Sequence, residues 1–188
     1  MATPQKGETL ESEVRTDDGQ AAVSVSSPQP REESRAEARL KVMLVSSAGG
    51  HLLQLHRLKP WWERHDRTWV TFKMPDSLSL LADEDVAWAY HPTTRNIPNM
   101  LRNLRLAWRL IRQHRPSVVV SSGAGVAFPF FVIARLHGAR TIYIEVYDRI
   151  DLPTVTGKLC QPLSNLFLLQ WEAQKRFYKR GVVIGRLL

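Results

Sequence analysis

The sequence predicts an α/β domain built on a doubly wound parallel sheet. Short β-branched and aromatic runs alternate with helical patterns from residue 40 onward. These runs are almost continuously apolar, which is typical of parallel strands covered by helices on both faces. The length of 188 residues leaves room for one such domain and a tail.

The predicted elements follow one another in regular alternation. Six strands are expected at residues 41–46, 68–73, 86–90, 117–121, 140–146 and 166–169. Helices are expected at about 51–59, 98–115, 126–138 and 154–163. The uncharged run 117–134 has the minimum length of a membrane-spanning helix, but serines, glycines and a proline interrupt it. It is predicted to be a strand, a glycine turn and a helix.

Residues 1–39 differ in composition from the rest of the chain. They contain almost no large apolar side chains and are rich in Glu, Gln, Ser, Pro and Ala. We expect a disordered polar tail, with neither a secretory signal nor a membrane anchor. The single cysteine, Cys160, excludes an internal disulfide and is expected to be a small buried hydrophobe. This cysteine usage fits a reducing cytoplasm.

Charge is unevenly distributed along the chain. Residues 1–39 hold eight acidic and five basic residues, whereas residues 40–188 hold 10 acidic and 21 basic residues. The body therefore carries a net charge of +11. Such a charge favours an anionic partner, which could be a phosphate compound, a nucleic acid or an acidic membrane surface.

A glycine loop follows the first strand, at residues 46–51 (SSAGGH). Gly49 and Gly50 permit a close approach of the backbone to a ligand, and the following helix offers free N–H groups. With Ser47, this loop is suited to a phosphate or diphosphate. It is neither the dinucleotide fingerprint nor a P-loop. His51 could accept a proton or contact a phosphate, or it could simply pack against the first helical turn.

Further candidate residues follow later strands. The fourth strand ends in a second glycine loop, which contains Ser122, Gly123 and Gly125 and serves either an anion or helix–strand packing. Glu145 ends the fifth strand, where it could act as a base or bind sugar hydroxyls. Arg95, in the loop before the 98–115 helix, is a further possible phosphate ligand.

The 98–115 helix is basic and amphipathic. One arc contains its apolar residues Met100, Leu101, Leu104, Ala107, Trp108 and Ile111, while Leu106 and Leu110 flank the far side. The adjoining arc contains Arg102, Arg105, Arg109 and Arg112. The helix is either a contact for an anionic membrane or an ordinary solvated helix face. The acidic triplet 83–85 precedes a strand, so we expect a solvated turn and no metal site.

Five motifs stand in the order of a known family. They are residues 46–55 (SSAGGHLLQL), 121–125 (SSGAG), 143–149 (YIEVYDR), 156–159 (TGKL) and 168–172 (LLQWE). Together they resemble the acceptor-side subunit of the split N-acetylglucosaminyltransferase that extends dolichol-diphosphate sugars. The resemblance is closer to its bacterial counterparts in capsule and exopolysaccharide assembly, and it covers residues 41–188. The first loop is also similar to the Gly-Gly-His loop of the enzyme that completes the lipid-linked peptidoglycan precursor.

The resemblance implies that residues 40–188 form a Rossmann-like domain, equivalent to the N-terminal half of a GT-B glycosyltransferase. A separate partner chain would bind the nucleotide sugar, while this chain would hold the membrane and the acceptor. The eukaryotic subunit has an N-terminal anchor where this tail is polar. Attachment is therefore expected to be peripheral, on the cytoplasmic face of the cell membrane. Ala48 stands where related loops carry another glycine. The apolar end, 181–188, would dock the partner or form a last edge strand.

The hypothesis is an inverting, metal-independent sugar transfer to a polyprenyl-diphosphate-linked saccharide in capsule or exopolysaccharide synthesis, inactive without the partner chain. His51 or Glu145 would remove the acceptor proton. Residues of the two glycine loops and Arg95 would bind the acceptor diphosphate, and no cofactor is expected. The alternatives are a non-catalytic membrane scaffold that recruits a glycosyltransferase and a nucleotide- or nucleic-acid-binding module. The latter is disfavoured because no recognition motif is present.

Overall fold

The computed structural model describes residues 38–187, which contain a seven-stranded, entirely parallel sheet. The strands are β1 (Lys41–Val45), β2 (Asp66–Phe72), β3 (Val86–Ala89), β4 (Val118–Ser121), β5 (Arg140–Ile144), β6 (Leu166–Leu169) and β7 (Val182–Val183). The helices are α1 (Gly50–His56), α2 (Lys59–Trp62), α3 (Pro75–Leu80), α4 (Ile97–His114), α5 (Ala127–Leu136) and α6 (Val155–Cys160). Short 3-10 helices cover Gln161–Leu163 and Glu172–Arg176.

The strand order is β3-β2-β1-β4-β5-β6-β7. The chain moves outward from β1 to β3, then returns to place β4 beside β1 and proceeds to the opposite edge. The direction of winding therefore reverses between β1 and β4. In open parallel sheets, ligands bind beyond the carboxyl ends of the strands at this reversal. The predicted doubly wound α/β fold is confirmed.

Two hydrophobic cores lie on opposite faces of the sheet. Met43 and Val45 of β1 belong to the core that includes residues of α4 and α5. Val42 and Leu44 belong to the other core, which includes residues of α1 and α2. Alternate side chains of one strand are thus buried on both sides, because parallel strands are covered by helices on each face. This explains why the strand segments are almost continuously apolar.

All six predicted strands are present, and three of the four predicted helical stretches agree with the structure to within two residues at each end. The predicted helix 51–59 is two helices, since Pro60 at the start of α2 cannot continue the hydrogen bonding of α1. The predicted helix 154–163 is present as α6 followed directly by a 3-10 helix. Helix α3 was missed because it is only six residues long. Of the two alternatives given for the apolar end 181–188, the structure shows an edge strand, β7.

The buried face of α4 differs from the predicted apolar arc. Leu106 and Leu110, placed by the sequence pattern on the far side, are buried, whereas Met100, Leu101 and Trp108 are exposed. The helix is rotated by about a quarter turn from the apolar arc. Asn103 explains the difference, because its side chain is buried and both donates to and accepts from the Tyr90 backbone. A polar residue therefore faces the sheet. Of the predicted apolar arc, Ala107 and Ile111 stay buried, and Met100, Leu101 and Trp108 face outward.

The remaining organisational predictions have mixed outcomes. Cys160 is buried, as predicted, and burial, with the nearby charge of Glu145, raises the pKa of its thiol to about 12. Of residues 38–187, no helix combines the length and apolarity needed to cross a membrane. The predicted tail, apart from its last two residues, lies outside the described residues.

Candidate functional site

Two glycine loops meet where the winding of the sheet reverses. β1 and β4 are neighbours, with Val45 opposite Ser121. The loop after β1 carries Gly49 and leads into α1, and the loop after β4 carries Gly123 and leads into α5. The structure thus brings the two predicted phosphate loops together at one edge of the sheet.

His51 joins the two loops through a reciprocal pair of hydrogen bonds. Its Nδ1–H donates to the Ser122 carbonyl oxygen at 2.7 Å. In return, the Ser122 hydroxyl donates to the carbonyl oxygen of His51 at 2.7 Å. Because a carbonyl only accepts, Nδ1 must carry the proton in the neutral ring. The lone pair of the half-buried imidazole is therefore on Nε2.

Neighbouring side chains occupy the space beside the glycines of the second glycine loop. Gly123 has a φ of +107°, and a Cβ added there would lie 2.8 Å from the Tyr143 hydroxyl and 3.2 Å from His51 Cε1. At Gly125, an added Cβ would lie 2.9 Å from the Thr93 side chain. Gly123 therefore allows close packing against His51, and Gly125 allows close packing of the Thr93 loop. Ser122 is buried and serves to hold the histidine.

The first glycine loop is open. An added Cβ would meet no atom within 4 Å at either Gly49 or Gly50, and Gly49 has a φ of +74°. The Gly49 N–H donates to the carboxylate of Asp76 at 2.6 Å. Ser47 is half-buried and its hydroxyl donates to the Ala48 carbonyl oxygen at 3.3 Å. The N–H of the open loop is thus already bonded to an anionic group.

Asp76 was missed by the sequence analysis. It lies in the first turn of α3, and α3 follows the carboxyl end of β2 on the same edge of the sheet. The rule that singled out Glu145, an acid placed after a buried strand, would have found it. The helix itself was too short for its periodicity to be recognised.

The electrostatic environment of His51 favours the neutral imidazole. Burial lowers its pKa, although the Ser122 carbonyl and the negative charge of Asp148 partly oppose this effect. A neutral ring at physiological pH can accept a proton through Nε2.

Glu145 lies in a closed environment on the other side of β4. Its side chain is fully buried, and its carboxylate accepts hydrogen bonds from the Thr154 hydroxyl, at 3.0 and 3.1 Å, and from the Val146 N–H at 3.1 Å. Tyr178 hydrogen-bonds to the same carboxylate. Burial raises the pKa of Glu145, and these hydrogen bonds counteract part of the rise.

Gly157 makes this closed arrangement possible. Its α-carbon lies so close to Glu145 that an added Cβ would overlap the Glu145 carboxylate and the Tyr178 hydroxyl and lie 2.7 Å from the Thr154 hydroxyl. The Thr154 hydroxyl also accepts a hydrogen bond from the Gly157 N–H at 2.8 Å, which caps α6. Glu145 is therefore locked to the start of α6.

A buried glutamine pair connects the two regions. The Gln170 amide donates to Gln54 Oε1 at 2.7 Å and to the Glu145 carbonyl oxygen at 2.8 Å. Gln170 Oε1 also accepts from the Leu187 N–H at 2.9 Å. Gln54 is on α1, three residues beyond His51. The glutamines occur in two of the quoted motifs, but their pairing across 116 positions was not predicted.

The remaining candidate residues lie at the surface. Arg95 is exposed, with a φ of 51°, in a loop that packs through Thr93 against Gly125. The arginines of α4 predicted as membrane contacts are all exposed, namely Arg102, Arg105, Arg109 and Arg112, and Trp108 is 45% exposed beside them. Arg102 donates to Asn99 at 3.1 Å, and the guanidinium of Arg112 lies over the Trp108 ring.

The acidic triplet has structural partners. The Glu84 carboxylate forms a two-pronged ion pair with Arg67, with both N–O distances at 2.7 Å. Asp85 accepts from the Thr68 hydroxyl. Among residues 38–187, no three His, Cys, Asp or Glu side chains are grouped so that they could hold a metal ion.

Comparison with known proteins agrees with this architecture. Human UDP-N-acetylglucosamine transferase subunit ALG14 is 27% identical over 180 residues, covering 79% of this chain and 83% of the human protein. The UDP-N-acetylglucosamine--N-acetylmuramyl-(pentapeptide) pyrophosphoryl-undecaprenol N-acetylglucosamine transferase of Moorella thermoacetica is 33% identical over 94 residues. That match covers 48% of this chain and 24% of the relative.

Similarity to solved structures supports the predicted fold. Acinetobacter baumannii MurG superimposes with a TM-score of 0.60 at 16% identity, covering 71% of this chain and 42% of MurG. This chain therefore spans about two fifths of that structure, as expected for a Rossmann-like half of a GT-B glycosyltransferase. The family model described as oligosaccharide biosynthesis protein Alg14 like matches residues 90–187, more than half of the chain. The chain belongs to the family of Alg14-like oligosaccharide biosynthesis proteins.

Proposed function

We propose that this chain is the acceptor-binding subunit of a two-chain, metal-independent glycosyltransferase. The observation that carries the proposal is the open glycine loop beside His51, at the winding reversal of a domain that corresponds to one half of a glycosyltransferase. The reaction is the inverting transfer of a sugar from a nucleotide sugar to a polyprenyl-diphosphate-linked saccharide. The names of the relatives favour UDP-N-acetylglucosamine as the donor.

His51 is the proposed general base. An acceptor hydroxyl attacks the anomeric carbon and transfers its proton to Nε2, while the bond to the nucleotide diphosphate breaks. The Ser122 carbonyl fixes the ring through Nδ1–H and stabilises the imidazolium that forms. The lowered pKa keeps the starting ring neutral.

The open loop is the proposed site of the acceptor diphosphate. Gly49 and Gly50 leave space above the backbone, and the Gly49 N–H already bonds to a carboxylate oxygen. A phosphate oxygen takes the place of that carboxylate, so Asp76 must withdraw. Arg95, on the exposed neighbouring loop, neutralises the second phosphate, and Ser47 contributes a hydroxyl.

Glu145 is proposed to position the catalytic loop. Its carboxylate is fully buried and bound by Thr154, Val146 and Tyr178, so it holds the start of α6. Through its carbonyl oxygen and Gln170, the same residue is connected to α1, which carries His51. Substitution of Glu145 therefore affects catalysis through the position of α1.

The outward face of α4 is proposed to contact an anionic membrane. Apolar side chains that would be expected in the core, including Leu101 at 55% exposure and Ile97 at 66%, are turned to the surface. Arg105 and Arg109 lie on the adjoining arc and make no ion pair with any residue between 38 and 187. An apolar stripe beside a basic stripe suits the interface of a bilayer, on its cytoplasmic side. The assignment to capsule or exopolysaccharide synthesis stays a prediction.

The test is reconstitution with a candidate partner chain. This chain alone is expected to show no transfer, and adding a nucleotide-sugar-binding chain should restore transfer to a polyprenyl-diphosphate acceptor in detergent. Transfer by this chain alone would exclude the two-chain assignment. If the mixture is active and His51→Ala is equally active, the chain is a scaffold that recruits the enzyme.

A further inference from the structure

A basic cavity lies at the amino ends of the strands, whereas the glycine loops lie at their carboxyl ends. It has a volume of about 370 Å³ and lies where α4 and α5 end and where β4 and β5 begin. Its lining includes the polar residues Arg112, Arg115, Ser117 and His137. Nothing in the proposed transfer reaction uses these residues.

The lining carries positive charge and no carboxylate. Arg112 and Arg115 are exposed, and within residues 38–187 neither forms an ion pair with an acidic side chain. A second cavity at the amino ends of the strands differs, because Asp66 lines it together with Lys41 and Arg67, and Arg67 is paired with Glu84. Two arginines without an ion pair in the described part of the chain thus line one cavity. A guanidinium group can bind a phosphate group through two N–H groups.

Two further polar residues, Ser117 and His137, line the cavity. The Nδ1–H of His137 donates to the Ile133 carbonyl oxygen at 3.0 Å, which fixes the orientation of the ring. The Ser117 N–H donates to the Lys41 carbonyl oxygen at 2.8 Å, and its side chain has no hydrogen-bond partner among the described residues. A hydroxyl donor thus stands beside the two arginines.

The cavity is continuous with the apolar face of α4. The Trp108 ring packs edge-on against His137, with 4.8 Å between ring centroids, and the Arg112 guanidinium lies 5.6 Å from the same ring. Leu136 is the last residue of α5 and directly precedes His137, and it is 71% exposed. An apolar surface therefore borders the basic cavity, as required by a ligand with a phosphate and a hydrocarbon part.

We propose that this cavity binds the headgroup phosphate of an anionic phospholipid and anchors the far end of α4 to the membrane. The proposal rests on the peripheral membrane attachment proposed above and adds a defined headgroup site to it. Helix α4 has 18 residues and is about 27 Å long. One end lies near the glycine loops and the other at this cavity, so a bound headgroup fixes the tilt of the acceptor site over the bilayer.

Basic side chains at these positions also have a structural explanation. Arg112 lies in the last turn of α4, and cations there stabilise a helix by opposing its dipole. That role alone predicts a lower unfolding temperature when the charges are removed and no change in lipid binding. The experiment therefore measures both quantities.

The test is co-sedimentation of the full chain with phosphatidylcholine vesicles that contain or lack phosphatidylglycerol. Each arginine at an anionic surface contributes about fivefold to binding. The double variant R112Q/R115Q should therefore bind the anionic vesicles roughly 25-fold more weakly. The variant R112K/R115K keeps the charge but loses the planar fork, and it should also bind severalfold more weakly. The control K179Q/R180Q removes two exposed charges elsewhere and should cause a much smaller loss.

Three results would overturn the proposal. Equal losses in K179Q/R180Q and R112Q/R115Q would indicate diffuse attraction without a site. Unchanged binding of R112Q/R115Q with a lowered unfolding temperature would leave only the helix-dipole role. The third is a free-anion site, in which inorganic phosphate shifts the NMR signals of Ser117 and Gly138 while anionic vesicles do not. Transfer with the partner chain in detergent, where no bilayer is present, tests the proposed function separately.

Discussion

His51 and Glu145 follow neighbouring parts of one sheet, and the sequence marks both as possible bases, yet their surroundings differ. The His51 ring is half-buried and has a single side-chain hydrogen bond, from Nδ1 to the Ser122 carbonyl. The Glu145 carboxylate has no exposed surface and is bound by Thr154, Val146 and Tyr178. Burial shifts the two pKa values in opposite directions, lowering that of His51 and raising that of Glu145.

The difference shows how burial separates a reactive group from a supporting one. Burial favours the neutral form of both side chains. A neutral imidazole with a free Nε2 can accept a proton from a substrate. A carboxyl group that is enclosed by protein, whether neutral or ionised, cannot reach a substrate. The proposal therefore assigns proton transfer to His51 and positioning to Glu145.

The largest expected effect comes from removing the imidazole. His51→Ala should lower the rate of transfer by the two-chain enzyme about 10²- to 10⁴-fold, the usual contribution of a general base. Binding to the partner chain should remain near normal, because removal of the His51 ring leaves α1 packed through Leu52 and Leu55. Steady-state turnover and a pull-down of the partner measure the two quantities.

His56 provides the matched control for this experiment. It is on the same helix, burial also lowers its pKa, and its ring packs against Trp62 at 5.7 Å, away from the glycine loops. His56→Ala should retain most of the turnover. If both variants lose activity to the same extent, the effect of His51→Ala reports damage to α1 and not the loss of a base.

The features of the fold and the site that could be predicted from the sequence are those that depend on local patterns. The strands were recognised because burial on both faces makes each of them almost continuously apolar over four to seven residues. The loops around His51 were recognised because parallel strands end at one edge of the sheet. Neither step needs any knowledge of distant contacts.

The missed features depend on distant pairing. The prediction of the buried face of α4 was wrong because Asn103 is buried and hydrogen-bonds to the Tyr90 backbone. A hydropathy pattern counts asparagine as exposed. The contact of Gly49 with Asp76 spans 27 positions. The enclosure of Glu145 depends on Gly157 and Tyr178, which the sequence pattern does not associate with it.

The next largest effect compares a glycine from each region. Gly157 lies in α6 with an ordinary helical backbone, so alanine would normally stabilise the helix by up to about 1 kcal/mol. Here an added methyl group would overlap the Glu145 carboxylate. Gly157→Ala should instead lower the free energy of unfolding by about 1–3 kcal/mol, the typical cost of overpacking. Urea unfolding measures the change.

Gly50→Ala is the counterpart in the open loop. An added Cβ meets no atom within 4 Å, so the free energy of unfolding should be unchanged or slightly higher. The methyl group would stand where the acceptor diphosphate is proposed to approach, so the KM for the acceptor should rise. A stable Gly50→Ala variant with a normal KM would remove the open loop from the acceptor site. A stable Gly157→Ala variant would contradict the closed packing around Glu145.

The smallest effect distinguishes the two regions through the pH dependence of stability. His51 has a lowered pKa in the folded state, so between that pKa and 6.5 the unfolded chain binds more protons and the folded state gains stability as the pH rises. Glu145 has a raised pKa, so from about 4.5 upward the folded chain holds the extra proton and loses stability as the pH rises. The two groups therefore contribute slopes of opposite sign, each at most about 1.4 kcal/mol per pH unit.

Subtracting the urea-unfolding free energy of His51→Gln from that of the natural chain, at each pH, should leave a rising curve. The same subtraction with Glu145→Gln should leave a falling one. If the two difference curves had slopes of the same sign, one side chain would titrate in surroundings unlike those described. The assignment of base and positioning residue would then lose its physical basis.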